Sequence, residues 1–409
     1  MALTQINYYL LFLFGTALLT SMAGMEITSA LILLTSLITF IKKPKTLNVI
    51  GKEIYFFLGL LFISVISLFV NGLFEQIPPT LGWFRWIVIF YGILYSLLNT
   101  PKGAKALTLG TLTGGLLSCF NSFVQTITHR DWTRGNKVID YYADLDKQIT
   151  RATGFFNMPT TYAYILAMFL FVSLTLFFIT TDKKKKIIFS SVFLIGLLTL
   201  ALTYSRGAWI GFSAGLFCFI VLRKIKLLIP MVLAIAIAAS SLYAFSSGFK
   251  ERIDSLTDFN YYSNSQRIEL WKANLEIFKD HPIIGVGLNE NDQLVAEYHD
   301  KMGHVEKYRS HAHNIYLQYL SGTGILGFLS FIALAFYFLL KNLNLTRRLQ
   351  GSNQWLAYGL LSIQITFLVS GFFDCNFGDS EVRYSYLTYL VLVLFLDKRT
   401  KEDTNQILL

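Results

Sequence analysis

Apolar runs broken by short polar stretches dominate the chain from its first residues almost to its last. A bilayer core of about 30 Å is crossed by about 20 mostly apolar helical residues. Segments near that size recur at 8–23, 27–41, 54–70, 83–98, 106–126, 159–180, 187–204, 208–222, 227–245, 315–340, 354–373 and 384–396. The pattern predicts an all-α, polytopic membrane bundle of about twelve transmembrane helices. Closely spaced runs at 8–41 and 187–222 leave ten or eleven open. The expected organisation is N-terminal membrane helices over 1–126, an outer loop over 127–158, and membrane helices with a turn at Arg206 over 159–245. A large outer loop over 246–314 and C-terminal membrane helices with a short tail over 315–409 complete it.

Inside the larger loop the pattern changes. From Ser265 to Phe278, Ile268, Leu270, Trp271, Leu275 and Phe278 mark a stripe at helical spacing, with Ser263 or Ser265 placed to cap its start. This predicts an amphipathic helix at the outer membrane–water interface. The sequence DHPIIGVGLN then forces turns at Pro282, Gly285 and Gly287, and ENDQLVAEYHDKM predicts a second helix. Long ordered loops of this kind tend to carry function.

Composition agrees with the pattern: 54% of the 409 residues are hydrophobic and 15% charged, and the mean hydropathy is +0.51. An ordinary soluble domain is far less apolar. A net charge of +10 would suit nucleic acid, but the placement of the basic residues excludes it. With the N-terminus inside, Lys42–Lys52, Lys102 and Lys105, Lys183–Lys186, Arg223–Lys226, Lys341–Arg348 and Lys398–Lys401 all fall in cytoplasmic connections. The short outer connections hold only Arg85, Arg206 and Arg383. This bias predicts both termini in the cytoplasm and the two long loops outside. The first apolar segment lacks a basic n-region, so no cleaved leader is expected. Cys119, Cys218 and Cys375 lie in or beside predicted helices without the spacing of a disulfide framework.

The candidate chemistry gathers on the outer side. Arg206, in LTYSRGAWIGF, sits at a turn between apolar helices, where a guanidinium needs either lipid headgroups or an anion. Arg267 lies on the helix of the large loop, with a solvated face as its alternative. Two arginines on one side of a membrane suit a diphosphate, the leaving group of a polyprenyl-linked sugar donor. His299, His304, His311 and His313 fall within fifteen positions, which makes zinc a rival. No cysteine and no H-x-x-x-H spacing accompanies them, and the expectation is no metal and no cofactor. A neutral imidazole there suits proton abstraction from a sugar hydroxyl. Asp374, in SGFFDCNFGD, is placed to orient the histidine, to hold an arginine, or simply to end a helix.

Taken together, these stretches resemble the O-antigen ligase family, which shares its region with some O-antigen polymerases. The ligase pattern of His, then Asn, Ser or Gln, nine residues and G-x-x-G reads here as His313, Asn314, Ile315–Thr323, Gly324 and Gly327. SRGAW around Arg206, HPIIGVGLN, and RATGFFNMP from Arg151 are similar as well. The R-x-x-x-L pattern is met only in part, because Trp271 follows Arg267 at the fourth position.

The resemblance implies a membrane glycosyltransferase of the GT-C type, metal-independent and inverting, in the inner (plasma) membrane with a periplasmic active site. The donor would be an undecaprenyl-diphosphate-linked glycan, and the acceptor a sugar hydroxyl of lipid A–core. In the polymerase alternative the acceptor is another lipid-linked repeat. His313 is implied as base, Arg206 and Arg267 as diphosphate ligands, and Asp374 through a family aspartate in the same late outer position; Arg151, His311 and Asn314 are taken beside them as candidate substrate contacts. Gly322, Gly324 and Gly327 are read as sites of close helix contact beside the donor lipid. A transporter is the rival from another class, but no internal repeat is evident and the polar candidates avoid the midplane.

Overall fold

The computed structural model describes residues 2–42, 49–138, 140–144, 147–223, 246–258, 260–303 and 309–402, with scattered positions between 229 and 244. Eleven of the twelve expected segments carry helices: α1 Ala2–Ala17, α2 Met22–Lys42, α3 Glu53–Val70, then, after a short α4 at Ile77–Leu81, α5 Phe84–Asn99 and α6 Gly103–Thr128. They continue with α7 Pro159–Ile179, α8 Lys183–Leu202 and α9 Arg206–Arg223. The expected segment 227–245 falls largely outside the described residues, as does His304.

The large loop contributes α10 Ser247–Asp254, α11 Tyr262–Asp280 and α12 Asn291–Lys301. The chain ends with α13 Ile315–Arg348, α14 Gly351–Ser370 and α15 Ser380–Glu402. Among the described residues seven helical stretches are long and apolar enough to cross a membrane. The chain is therefore an all-α, multi-pass membrane protein, and among the described residues strand is confined to two small antiparallel hairpins. These pair β1 Arg130–Asp131 with β2 Lys137–Val138, and β3 Asp140–Asp144 with β4 Lys147–Thr150, in a loop the sequence reading left without elements.

Sequence dictates which helix is central. The helix α7 is apolar on every face, so no side of it gains from facing water or headgroups, and 83% of its membrane-length window is buried. Tyr162, Phe169 and Phe171 of α7 are fully enclosed. Its neighbour α8, 22% buried over the same length, lies at the periphery.

The helix α13 is not one continuous rod. At Gly324 the backbone leaves helical geometry (φ 62°, ψ −168°), and the segment from Pro282 to Gly287 enters the gap. Val286 N–H donates to Ser321 O (3.2 Å) and Gly287 N–H to Gly322 O (2.8 Å), while Ile325 N–H donates to Pro282 O (2.9 Å). Backbone groups freed by the break are thus satisfied by the inserted loop, as hydrocarbon requires. Ser67 of α3 and Asn71, its C-cap, close the arrangement by donating to Gly322 O and Gly285 O. The glycine reading needs correcting here: Gly324 serves backbone conformation, and its neighbour is this loop.

Two expectations about α11 also change. Neither serine caps it: Ser265 Oγ donates to Tyr262 O, and Ser263 Oγ accepts from Arg206. Its buried face is Leu270, Ala273, Asn274 and Ile277, which meets Val295 and Tyr298 of α12, while Leu275 is exposed. Partner helices cover the true stripe, which is shifted from the one read from the sequence.

Candidate active site

Asn314 starts α13 as its N-cap, its Oδ1 accepting from Tyr316 N–H (3.0 Å) and Leu317 N–H (3.2 Å). The residue before it, His313, is held at φ 44°, a left-handed conformation that costs a residue other than glycine about 1–3 kcal/mol. Gln318, one turn into α13, supports this bend. Its Oε1 accepts from Ala312 N–H (2.9 Å), and its Nε2 donates to Asn291 (3.0 Å) and Asp292 (2.8 Å) of α12. Gln318 went unnoticed in the sequence, where one polar residue at the head of an apolar helix looks like an interfacial residue.

The bend brings His313 to Asp374, in the loop between α14 and α15. His313 Nδ1 lies 3.1 Å from Asp374 Oδ1, which also accepts from Cys375 N–H (2.9 Å), while Tyr164 OH donates to Asp374 Oδ2 (3.3 Å). Burial alone, the largest influence, would push the Asp374 carboxyl up. The hydrogen bond and charge of His313, with His311 and Arg267 nearby, outweigh it and hold the carboxyl at about 2. Ionised Asp374 can only accept, so His313 Nδ1 is the donor of this contact, which leaves Nε2 as the nitrogen available to act as a base. His311 Nδ1 accepts from His313 N–H (3.2 Å), with the two rings 4.1 Å apart. Burial, the largest influence, lowers the His311 pKa, with the charges of His313 and Arg267 adding to it and that of Asp374 opposing.

These groups face a cavity of about 630 Å³, lined among others by His311, His313, Asp374, Asp379, Trp83 and Arg383. Its size suits a sugar residue or two. Asp292 also lines it, with a carboxyl that burial pushes up.

The arginines divide. Arg206 is buried, and both terminal nitrogens are committed: Nη1 to Ser255 O (2.7 Å) and Oγ (2.9 Å), Nη2 to Ser263 Oγ (2.8 Å) and Asn264 Oδ1 (2.8 Å). Its guanidinium lies over the Tyr261 ring at 5.5 Å, so it fastens the large loop to the start of α9. Arg151 Nε donates to Thr203 O (2.9 Å), bracing the turn just before Arg206. Half-buried Arg267 makes no hydrogen bond to a described residue, yet its charge bears on Asp374 and His311. Arg252, absent from the sequence reading, is buried with Nε unpartnered and its charge close to Arg206. His299 is enclosed against α11, its Nε2 3.3 Å from Glu269 O, and stands apart from the pair.

His311, His313 and Asp374 also offer three ligand atoms within 4.8 Å of one another, the spacing of a metal site.

A protein of Haemophilus influenzae described as uncharacterized is 28% identical over 202 residues, 44% of this chain. The chain spans about half the length of that relative. Residues 191–332, from α8 to beyond the break in α13, match the family described as O-Antigen ligase, a match that supports an enzymatic role of ligase or polymerase type. The matched region contains Arg206, Arg267, His313 and the Gly324 break, and the match supports an assignment to the O-antigen ligase family.

Proposed function

We propose that the chain is an O-antigen ligase that moves a glycan from undecaprenyl diphosphate to a sugar hydroxyl of lipid A–core. In this reading it is a twelve-span, GT-C-type enzyme of the inner membrane, with both termini cytoplasmic and the cavity opening on the periplasmic side. The observation that carries the proposal is the His313–Asp374 contact beside a sugar-sized cavity. His313 Nε2 takes the acceptor hydroxyl proton as the oxygen attacks the anomeric carbon. The bond from that carbon to the diphosphate breaks, and the diphosphate leaves with the electron pair. Attack from the face opposite the leaving group inverts the centre. Negative charge grows on the diphosphate in the transition state, where uncommitted Arg267 donors stabilise it most. Arg206 contributes charge and holds the loop that carries Arg267.

Polymerisation uses the same donor, leaving group and base, with a lipid-linked repeat as acceptor. A metal-dependent variant has the clustered His311, His313 and Asp374 in its favour. One assay separates these readings: purified protein receives the lipid-linked donor with lipid A–core, or donor alone, with and without chelator. Transfer to core that survives chelation is expected. Chain growth from donor alone would favour the polymerase, and loss on chelation would sink the metal-free chemistry.

A further inference from the structure

The proposed transfer leaves one wall of the cavity without a role: the start of α5 together with the first turn of α15. Arg383, on that turn, is 5% exposed and lines the cavity. Its Nε donates to Phe377 O (2.8 Å) and its Nη2 to Gly378 O (2.9 Å), fixing the side chain's direction. Two of five donors are thereby used, and the others have no hydrogen-bond acceptor among the described residues. Trp83 (4.4 Å) and Trp86 (4.9 Å) stack against the guanidinium. Exposed Arg85 lies 5.0 Å from the Trp86 ring and lines the same cavity.

Neither arginine forms an ion pair with a carboxylate among the described residues. The nearest acid in the wall, Asp379, accepts from Thr161 and does not reach Arg383. Burial, then the charges of Asp374 and Glu381, push its carboxyl up to about 6 despite the Thr161 hydrogen bond and the charge of Arg383. A guanidinium does not shed its proton, so buried Arg383, with exposed Arg85 lining the same cavity, calls for an anion. This positive region is distinct from Arg267, which is not among the residues lining the cavity. The half-buried Trp83 ring beside them offers the flat apolar surface on which sugar C–H faces rest.

We propose that this wall is a subsite for a sugar carrying a phosphate or carboxylate, its anion held by Arg85 and Arg383 and its ring lying against Trp83. The proposal names a class of glycan for the transfer proposed above and rests on that reading only for calling this sugar part of a substrate. Binding is measured without turnover, so failure of transfer and failure of the subsite remain separate results.

Saturation-transfer NMR on the full chain in detergent, titrated with glucose 6-phosphate, glucuronate, glucose and inorganic diphosphate, tests it. Glucose 6-phosphate and glucuronate are expected to bind about tenfold more tightly than glucose, as contacts to a charged group imply. Arg85→Gln, a surface change that keeps the fold, should remove most of that difference, and Arg383→Gln should do the same. Glucose binding as tightly as the charged sugars would overturn the proposal. So would equal affinities in native and Arg85→Gln protein. Weakening of inorganic diphosphate by as much as the sugar phosphate would make this wall the leaving-group site instead.

Discussion

His313 and Asp374, 61 positions apart, meet at 3.1 Å with the histidine in a left-handed backbone conformation. The pair fixes which imidazole nitrogen is free, because an ionised carboxylate accepts and never donates. An asparagine at 374 can donate to Nδ1 and so force the proton onto Nε2, where the base must be bare. Asp374→Asn is expected to lower kcat for glycan transfer by about 10²–10⁴ with little change in KM. His313→Ala should reduce transfer to background. Full activity in either variant removes the base assignment.

The two arginines expected to share a diphosphate are predicted to fail differently. Arg206 spends both terminal nitrogens on Ser255, Ser263 and Asn264, so Arg206→Ala leaves buried acceptors unpaired and releases the large loop. That should cost about 3 kcal/mol or more of stability as well as activity. Arg267→Ala removes uncommitted donors, and should leave thermal unfolding within about 0.5 kcal/mol of native while transfer collapses. Equal destabilisation by both changes would show that Arg267 is structural too.

A methyl group at Gly324 should be poorly tolerated. The residue sits at φ 62°, and a Cβ there would come within 2.3 Å of Ile283 C and O in the inserted loop. Gly324→Ala is therefore expected to expel the 282–287 segment, lowering the unfolding temperature and transfer together. Amide exchange at Val286 and Gly287, which donate across the break, should quicken. Unchanged exchange there would mean that the loop is held by other contacts.

Helix positions were legible because a membrane helix must be apolar over its whole length, and α7 shows it most plainly. His313 and Asp374 stood out as candidates for the opposite reason, as polar groups at the ends of apolar segments. What those groups touch was not legible. Ser263 looked like a helix cap because local spacing favours it, yet Arg206 reaches it from 57 positions away. Arg383 read as a basic residue in a short outer connection, because no local pattern reveals stacking on Trp83. The stripe on α11 was misplaced because leucine and phenylalanine outweighed Ala273 and Asn274. Close contact with α12 and α13 selects those smaller residues instead. Gly324 carried the right position and the wrong reason, since sequence alone does not separate a glycine needed for space from one needed for φ.

Asp374 and Asp379 share a loop and respond to pH with differing consequences. Asp374 is held at about 2, below the ordinary 3.8, so the folded chain binds fewer protons than the unfolded chain between those values. Its stabilisation is present above about 4 and is lost as the pH falls toward 2. Asp379 is raised to about 6, so the folded chain binds more protons than the unfolded chain between 3.8 and that value. Its contribution to stability is full below 3.8, declines as the pH rises through 6, and stays low at neutrality. Asparagine cannot ionise and still offers an oxygen to Thr161, the present donor to Asp379. Asp379→Asn is therefore expected to raise the unfolding temperature at pH 7.5 by a few degrees and to have little effect at pH 4. Thermal unfolding of both proteins in detergent across that range reads the difference directly. An asparagine variant less stable than native at pH 7.5 but not at pH 4 would mean that attraction between ionised Asp379 and Arg383 outweighs burial of the carboxylate.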